Sequence, residues 1–233
     1  MPVQALLFDK DGTLFDFKTT WNAWSAGLIR RFSSGDPDRE AALAAAAHFD
    51  MARQSFLPSS PIIAGTNREA AEIFASVVTE HSVEELEDIL MNATLDAPQA
   101  EVVPLADYFA DLHACGFKTG VVTNDTEAGA MSHLRQARAT KHLDFIAGFD
   151  SGYGAKPAPD PLLAFATRVG LAPAQVAMVG DSTHDLVSAK RAGMYRIGVL
   201  TGMADYDDLA PYADVVLPHI GHILGHLQNI QND

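Results

Sequence analysis

The stretch from Val3 to Leu14, VQALLFDKDGTL, restricts the fold of this chain more than any other. Val3, Ala5, Leu6, Leu7 and Phe8 form a short apolar run that stops at Asp9, Lys10, Asp11, Gly12 and Thr13. Apolar residues at odd and even positions alike fit a strand covered on both faces, as in a parallel sheet with helices on each side. Ligands of such sheets sit beyond the carboxyl ends of the strands. Asp9 and Asp11 therefore stand where chemistry is done, and Gly12 lets the chain turn sharply and bring backbone N–H groups toward an anion. Taken alone, the same letters also describe an Asp-Gly turn that merely ends a strand.

The second half of the chain repeats the device. Phe117 to Val122 reads as a buried strand ending in Thr123, Asn124 and Asp125, and Val176 to Val179 as another ending in Gly180, Asp181 and Ser182. Phe145 to Phe149, Tyr195 to Leu200 and Ala213 to Leu217 are further strands. Helices are expected between them: one from Pro104 to Gly116, one over about Thr126 to Arg138, one capped by Asp160 with Pro161 at its first position and stopped by Gly170, and one ending at Gly193. Repeated βα units give a doubly wound, Rossmann-like α/β fold with a mostly parallel sheet.

Residues 17–98 break that rhythm. They carry helical signals and no convincing strand: EAALAAAAHF (Glu40 to Phe49), then capping-box pairs Thr66/Glu69 and Ser82/Glu85 ahead of Arg68 to Val78 and Glu84 to Leu95. The expected organisation is an α/β core of residues 1–16 and 99–233 with a helical cap of residues 17–98 inserted after the first strand, Pro98 beginning the return.

A net charge of −14 argues against nucleic acid as a partner, because a phosphate backbone needs a basic surface. It leaves room for a small anionic substrate met by local positive charge. Cys115 is the only cysteine and reads as a small apolar core residue near a helix end. The first residues hold no basic leader, and the apolar runs are too short for a membrane span, so a cytoplasmic protein is expected.

Asp9/Asp11, Thr123/Asn124 and Asp181/Asp185 end three parallel strands and so share one sheet edge, which Lys156 enters from a loop. Clustered carboxylates must be neutralised by protons or a cation. An all-oxygen site suits Mg²⁺, which keeps waters and binds phosphate oxygens. One carboxylate can act as a nucleophile and a second as acid and base, while an ammonium and small hydrogen-bonding groups hold phosphoryl oxygens. These residue types point to phosphoryl transfer.

DKDGTL (Asp9 to Leu14), VVTND (Val121 to Asp125), AKPAPDP (Ala155 to Pro161) and VGDSTHD (Val179 to Asp185) stand in the order of the four motifs of the haloacid dehalogenase-like hydrolase superfamily. Their spacing resembles the phosphoglycolate phosphatase-type branch with a helical cap. The resemblance implies a Mg²⁺-dependent hydrolase of small phosphomonoesters, phosphoglycolate-like or sugar phosphates, working through an aspartyl-phosphate. It implies Asp9 as nucleophile and metal ligand, and Asp11 as general acid/base with its backbone carbonyl on the metal. It implies Thr123 and the Asn124 backbone as phosphoryl ligands, Lys156 as the neutralising and orienting cation, Asp181 as a metal ligand, and Asp185 as support for the metal shell or Lys156.

The departures carry information too. Lys10 stands where many relatives have an apolar residue, facing away from the site or adding positive potential near the cap. Asp11 disfavours a dehalogenase, and Thr20 does not match the hinge histidine of β-phosphoglucomutase-like members. The competing readings are a phosphomutase and, from another class, a receiver-type module whose aspartyl-phosphate persists as a signal. Outside the motifs, Trp21 and Trp24 read as packing residues in preference to a substrate wall, and Arg30, Arg31, Arg53 and Arg68 are the cap's candidate anion contacts, each taken singly reading better as a solvated surface arginine. His219, His222 and His226 read as surface histidines beside a packing face, in preference to a zinc site.

Overall fold

The structure is a computed structural model and describes residues 3–63, 65–95, 97 and 99–232. Its sheet has β1 (Ala5–Phe8) near the middle, between β4 (Lys118–Val122) and β6 (Val176–Gly180). With β5 (Phe145–Ala147), β7 (Tyr195–Val199) and β8 (Val215–Leu217) the order is β5-β4-β1-β6-β7-β8, and every pairing is parallel. The two parities of the opening run serve two cores. Leu6 and Phe8 pack with α5 (Leu105–Ala114), α6 (Glu127–Gln136) and α10 (Ile223–Asn232), whereas Ala5 and Leu7 pack with α7 (Asp160–Val169) and α8 (Thr183–Ala192) on the other face. Helices cover both faces, so the strands are continuous apolar runs.

Between β1 and β4 lie α1 (Ala23–Ser33), α2 (Pro37–Ala46), α3 (Asn67–Ala75) and α4 (Val83–Leu95). They bury a core of their own, with Phe32, Leu43, Phe74, Leu86 and Leu90 at its centre, distinct from the two cores on the sheet. The expected return at Pro98 lies outside the described residues.

Three expectations need correction. The helical insertion contains a two-stranded antiparallel ribbon, β2 (Phe49–Asp50) with β3 (Ser55–Phe56). Strands of two residues leave no alternation to read. Phe49 accordingly pairs with Phe56 instead of extending α2, which ends at Ala46. Cys115 is exposed, because the last turn of α5 runs beyond the packed face; His113, Ala114 and Gly116 beside it are exposed as well. Finally, Asp160 occupies the first turn of α7, and Pro159 takes the capping position expected of it.

Candidate active site

The register of β1 against β4 and β6 aligns Phe8 with Val121 and Val179, so the segments that follow all three strands emerge side by side. This places Asp9, Thr123, Asn124 and Asp181 in one cleft with Asp11, Lys156 and Asp185. All seven residues expected at the site line it.

Asp9 is 7% exposed, and Lys156, 5% exposed, reaches it from the loop before α7. The Lys156 ammonium donates to Asp9 Oδ1 at 2.5 Å and to Asp185 Oδ1 at 2.6 Å. Asn124 fixes this loop: its Nδ2 donates to the Lys156 carbonyl and its Oδ1 accepts the Lys156 N–H, both at 2.9 Å. Asp185 is also bound from the side, since Ser182 caps α8 and donates through Oγ to Asp185 Oδ2 at 2.6 Å. Asp181 sits where side chains are excluded on two sides. A Cβ on Gly12 would meet its carboxylate at 2.3 Å and one on Gly202 at 1.7 Å. Gly12 also holds φ +81°, which glycine adopts without strain.

Burial governs the charges. It pushes the Asp9 carboxyl up to about 7, opposed by Lys156 and reinforced by Asp185 and Asp11. Burial, then Asp9 and Asp185, holds Asp181 well above the ordinary carboxylate range. Lys156 is held above the usual lysine range, since Asp185 and Asp9 outweigh the cost of its burial. One oxygen from each of Asp9, Asp181 and Asp185 lies within 4.8 Å of the others. This all-oxygen, mutually repelling set fits a hard divalent cation.

Asp11 lines the same cleft but is held by different partners. Its carboxylate accepts from Lys10 at 2.9 Å and from Trp21 Nε1 at 2.9 Å. Lys10, fully buried, also pairs with Asp125 at 3.0 Å and contacts His133 Nδ1 at 3.0 Å, and His133 Nε2 lies 2.8 Å from the Thr94 carbonyl in α4. Burial disfavours the Lys10 ammonium, but Asp11 and Asp125 hold it above the usual range. Burial and then Lys10 lower His133. Lys10 thus lies behind the acidic edge, and it is tied through His133 to the inserted helices. Sequence reading also missed Thr201, whose hydroxyl donates to the Gly12 carbonyl at 2.6 Å.

The opposite wall comes from the insertion. Phe17, Trp21, Trp24, Phe56, Ile62 and Ile63 line it, with Thr66 and Asn67 at the start of α3. Trp21 belongs to a wide helical turn over Lys18–Asn22, a feature frequent at functional sites. The tryptophans therefore both pack, edge to face at 5.0 Å, and wall the cleft. The candidate arginines stay outside it: Arg30 and Arg31 are exposed, Arg53 is exposed near Asp50, and Arg68 ties α3 to Glu84 and Glu87 of α4. The His219 and His222 rings meet edge to face at 4.5 Å while His226 Nε2 lies 3.1 Å from the Tyr195 hydroxyl, and no potential metal-holding group among the described residues includes them.

Residues 3–193 match the family model of the haloacid dehalogenase-like hydrolases. The chain belongs to that family. As a haloacid dehalogenase-like hydrolase it is 32% identical over 137 residues to phosphoglycolate phosphatase of Salmonella typhi, an alignment covering 55% of this chain and 54% of the relative. It therefore matches about half the length of that curated relative. Its fold is similar to a haloacid dehalogenase-like hydrolase from Bacteroides fragilis (TM-score 0.72, 20% identity, 95% of this chain and 99% of that one). It is also similar to β-phosphoglucomutase from Clostridium difficile (TM-score 0.66, 16% identity, 99% and 100%). Among the described residues no helix is long and apolar enough to cross a membrane.

Proposed function

We propose that this hydrolase is a Mg²⁺-dependent phosphatase of small phosphomonoesters that works through an aspartyl-phosphate on Asp9. The observation that carries the reading is the Asp9 carboxylate itself, held by Lys156 at the floor of the cleft with Asp11 on the same turn and the Asp181 carboxylate beside it. In this reading residues 17–98 form the cap, and closing it over the core excludes bulk water. A cleft walled by the strand ends on one side and by the insertion on the other favours a small substrate over a macromolecular one.

In the first step an Asp9 oxygen forms a bond to phosphorus as the ester P–O bond breaks. Asp11 gives its proton to the departing alkoxide. Thr123 and the Asn124 backbone hold phosphoryl oxygens, and Lys156 offsets the charge that builds on them. In the second step water attacks the phosphoryl group, Asp11 takes the water's proton, and the Asp9 carboxylate leaves. Lys10 and Trp21 keep Asp11 aimed during both steps. Asp9, Asp181 and the Asp11 backbone carbonyl are the groups that would hold Mg²⁺, with Asp185 in support. The bound ion supplies positive charge that relieves the carboxylate repulsion and stabilises the transition state.

A phosphomutase would need a group that returns the phosphoryl group to a sugar. The fold likeness to β-phosphoglucomutase favours that reading, but Thr20, at the hinge position, is buried with no partner for its hydroxyl among the described residues. A receiver-type module has no use for a helical roof with an acid/base beneath it. The test is Asp9→Asn, an almost isosteric change to a poor nucleophile. It should abolish phosphate release from p-nitrophenyl phosphate without lowering the melting temperature. Turnover near wild type in a folded Asp9→Asn protein would end the proposal.

A further inference from the structure

The two walls of the cleft select different ends of a substrate. Five carboxylates, of Asp9, Asp11, Asp125, Asp181 and Asp185, line the core side. Among the described lining residues Lys156 is the one lysine or arginine, and its ammonium is already bonded to Asp9 and Asp185. Lys10 is closed off behind Asp11 and Asp125, and the half-buried imidazole of His184 stands on α8 beside the acidic cluster. A phosphoryl group can use Lys156 and the proposed cation. A second negative charge on the same substrate would find five carboxylates and no free ammonium or guanidinium, and burying an uncompensated carboxylate is strongly unfavourable.

The helical wall offers apolar surface instead: two indoles, two phenyl rings and two isoleucines. Each of its side-chain donor groups already makes a bond. Trp21 Nε1 donates to Asp11, Trp24 Nε1 to the Ala93 carbonyl, the Thr66 hydroxyl to Glu69 and Asn67 Nδ2 to Asp125. A polyhydroxy group placed there would give up its bonds to water and gain few in return.

We propose that the substrate is a phosphomonoester whose alcohol is apolar, aromatic or branched, and carries no second charge. The inference rests on the phosphatase reading and narrows it away from the carboxylate-bearing ester named for the matched relative. The test compares kcat/KM for four primary alkyl phosphates: benzyl phosphate, 2-methylpropyl phosphate, phosphoglycolate and glucose 6-phosphate. The first two should exceed the last two by on the order of 100-fold, the scale that pocket fit supplies. Two variants change the wall without touching the core machinery. Ile63→Arg, which adds the missing cation, should raise phosphoglycolate and lower benzyl phosphate. Phe56→Ala, compared at matched folded fraction, should lower kcat/KM for benzyl and 2-methylpropyl phosphate relative to phosphoglycolate, because it removes part of the apolar wall. Wild-type turnover of phosphoglycolate or glucose 6-phosphate equal to that of benzyl phosphate would overturn the inference and leave the phosphatase reading standing. Hydrolysis of none of the four, with p-nitrophenyl phosphate also untouched, would overturn the phosphatase reading itself.

Discussion

The core wall of the cleft is built around strand ends and the helical wall from turns and helix starts, and the two differ in how far each side chain is constrained. On the core wall the parallel register of β1, β4 and β6 fixes where Asp9, Thr123 and Asp181 emerge, and each charged group has a partner. On the helical wall the lining comes from a wide turn, a two-residue strand, the loop at Ile62 and Ile63, and the first turns of α1 and α3. Its contacts are apolar and tolerate exchange of one shape for another. A site divided in this way can keep one chemistry on the rigid side while the other side sets which ester enters.

The largest effect should come from the core wall's excess of negative charge. Removal of divalent cations with EDTA should abolish phosphate release, and Mg²⁺ should restore it, because Lys156 alone faces Asp9, Asp181 and Asp185. Full activity after thorough metal removal would show that the core wall is balanced without a cation, and the contrast between the walls would lose its basis.

Next in size is Asp11→Asn. General acid–base assistance is typically worth roughly 10²–10⁴-fold, and the loss should depend on the leaving group. The nitrophenolate needs little protonation, so p-nitrophenyl phosphate should give a burst of p-nitrophenol and then slow turnover while a phosphoryl adduct accumulates on Asp9. Alkyl phosphates should be slowed already in the first step. Rapid mixing with mass spectrometry of the quenched protein reads both. Equal slowing of all esters, with no burst and no adduct, would make Asp11 a structural residue.

How much of this was legible in the sequence follows the same division. The acidic strand ends could be read because each closes an apolar run that is itself diagnostic of a buried strand, as at Phe8 and Val179. The role of Lys10 could not. Its partners Asp125 and His133 lie far along the chain, and only the pairing of β1 with β4 brings them together. The spacing of Trp21 and Trp24 is helical and suggests packing residues; the wide turn that aims Trp21 at Asp11 has no sequence signature. The arginines were natural candidates by charge, yet none of the four lines the cleft.

Lys10 offers a test of smaller size. Lys10→Met should cost roughly 3–5 kcal/mol of stability, since it leaves the Asp11 and Asp125 carboxylates close together in a buried site with no counter-ion. Adding Asp125→Asn should recover part of that loss. Equal denaturant midpoints for Lys10→Met and wild type would show that the network behind the acidic edge holds nothing in place.

The smallest effect gives the most closely matched comparison, because both walls start a helix with the same device. On the helical wall Thr66 caps α3: Glu69 N–H donates to its hydroxyl at 3.2 Å, and its own N–H and hydroxyl donate to Glu69 Oε2 at 2.7 and 3.1 Å. On the core wall Ser182 caps α8, with Asp185 N–H donating at 3.4 Å and Ser182 N–H and hydroxyl donating to Asp185 Oδ2 at 3.1 and 2.6 Å. Loss of a capping hydroxyl costs about 1 kcal/mol, or roughly 2–4 °C in Tm for a chain of this length, so Thr66→Ala and Ser182→Ala should melt alike. Their kinetics should differ. Glu69 is an exposed capping partner on α3, whereas Asp185 turns its other oxygen to Lys156, which in turn holds Asp9. Freeing Asp185 Oδ2 loosens that chain of contacts, and the loss of one such supporting bond should lower kcat roughly 10-fold, with Ser182→Thr restoring it. Thr66→Ala should leave kcat unchanged. Equal kinetic losses in the two alanine variants, measured with p-nitrophenyl phosphate at matched folded fraction, would mean that the core wall is no more tightly coupled to the chemistry than the wall facing it.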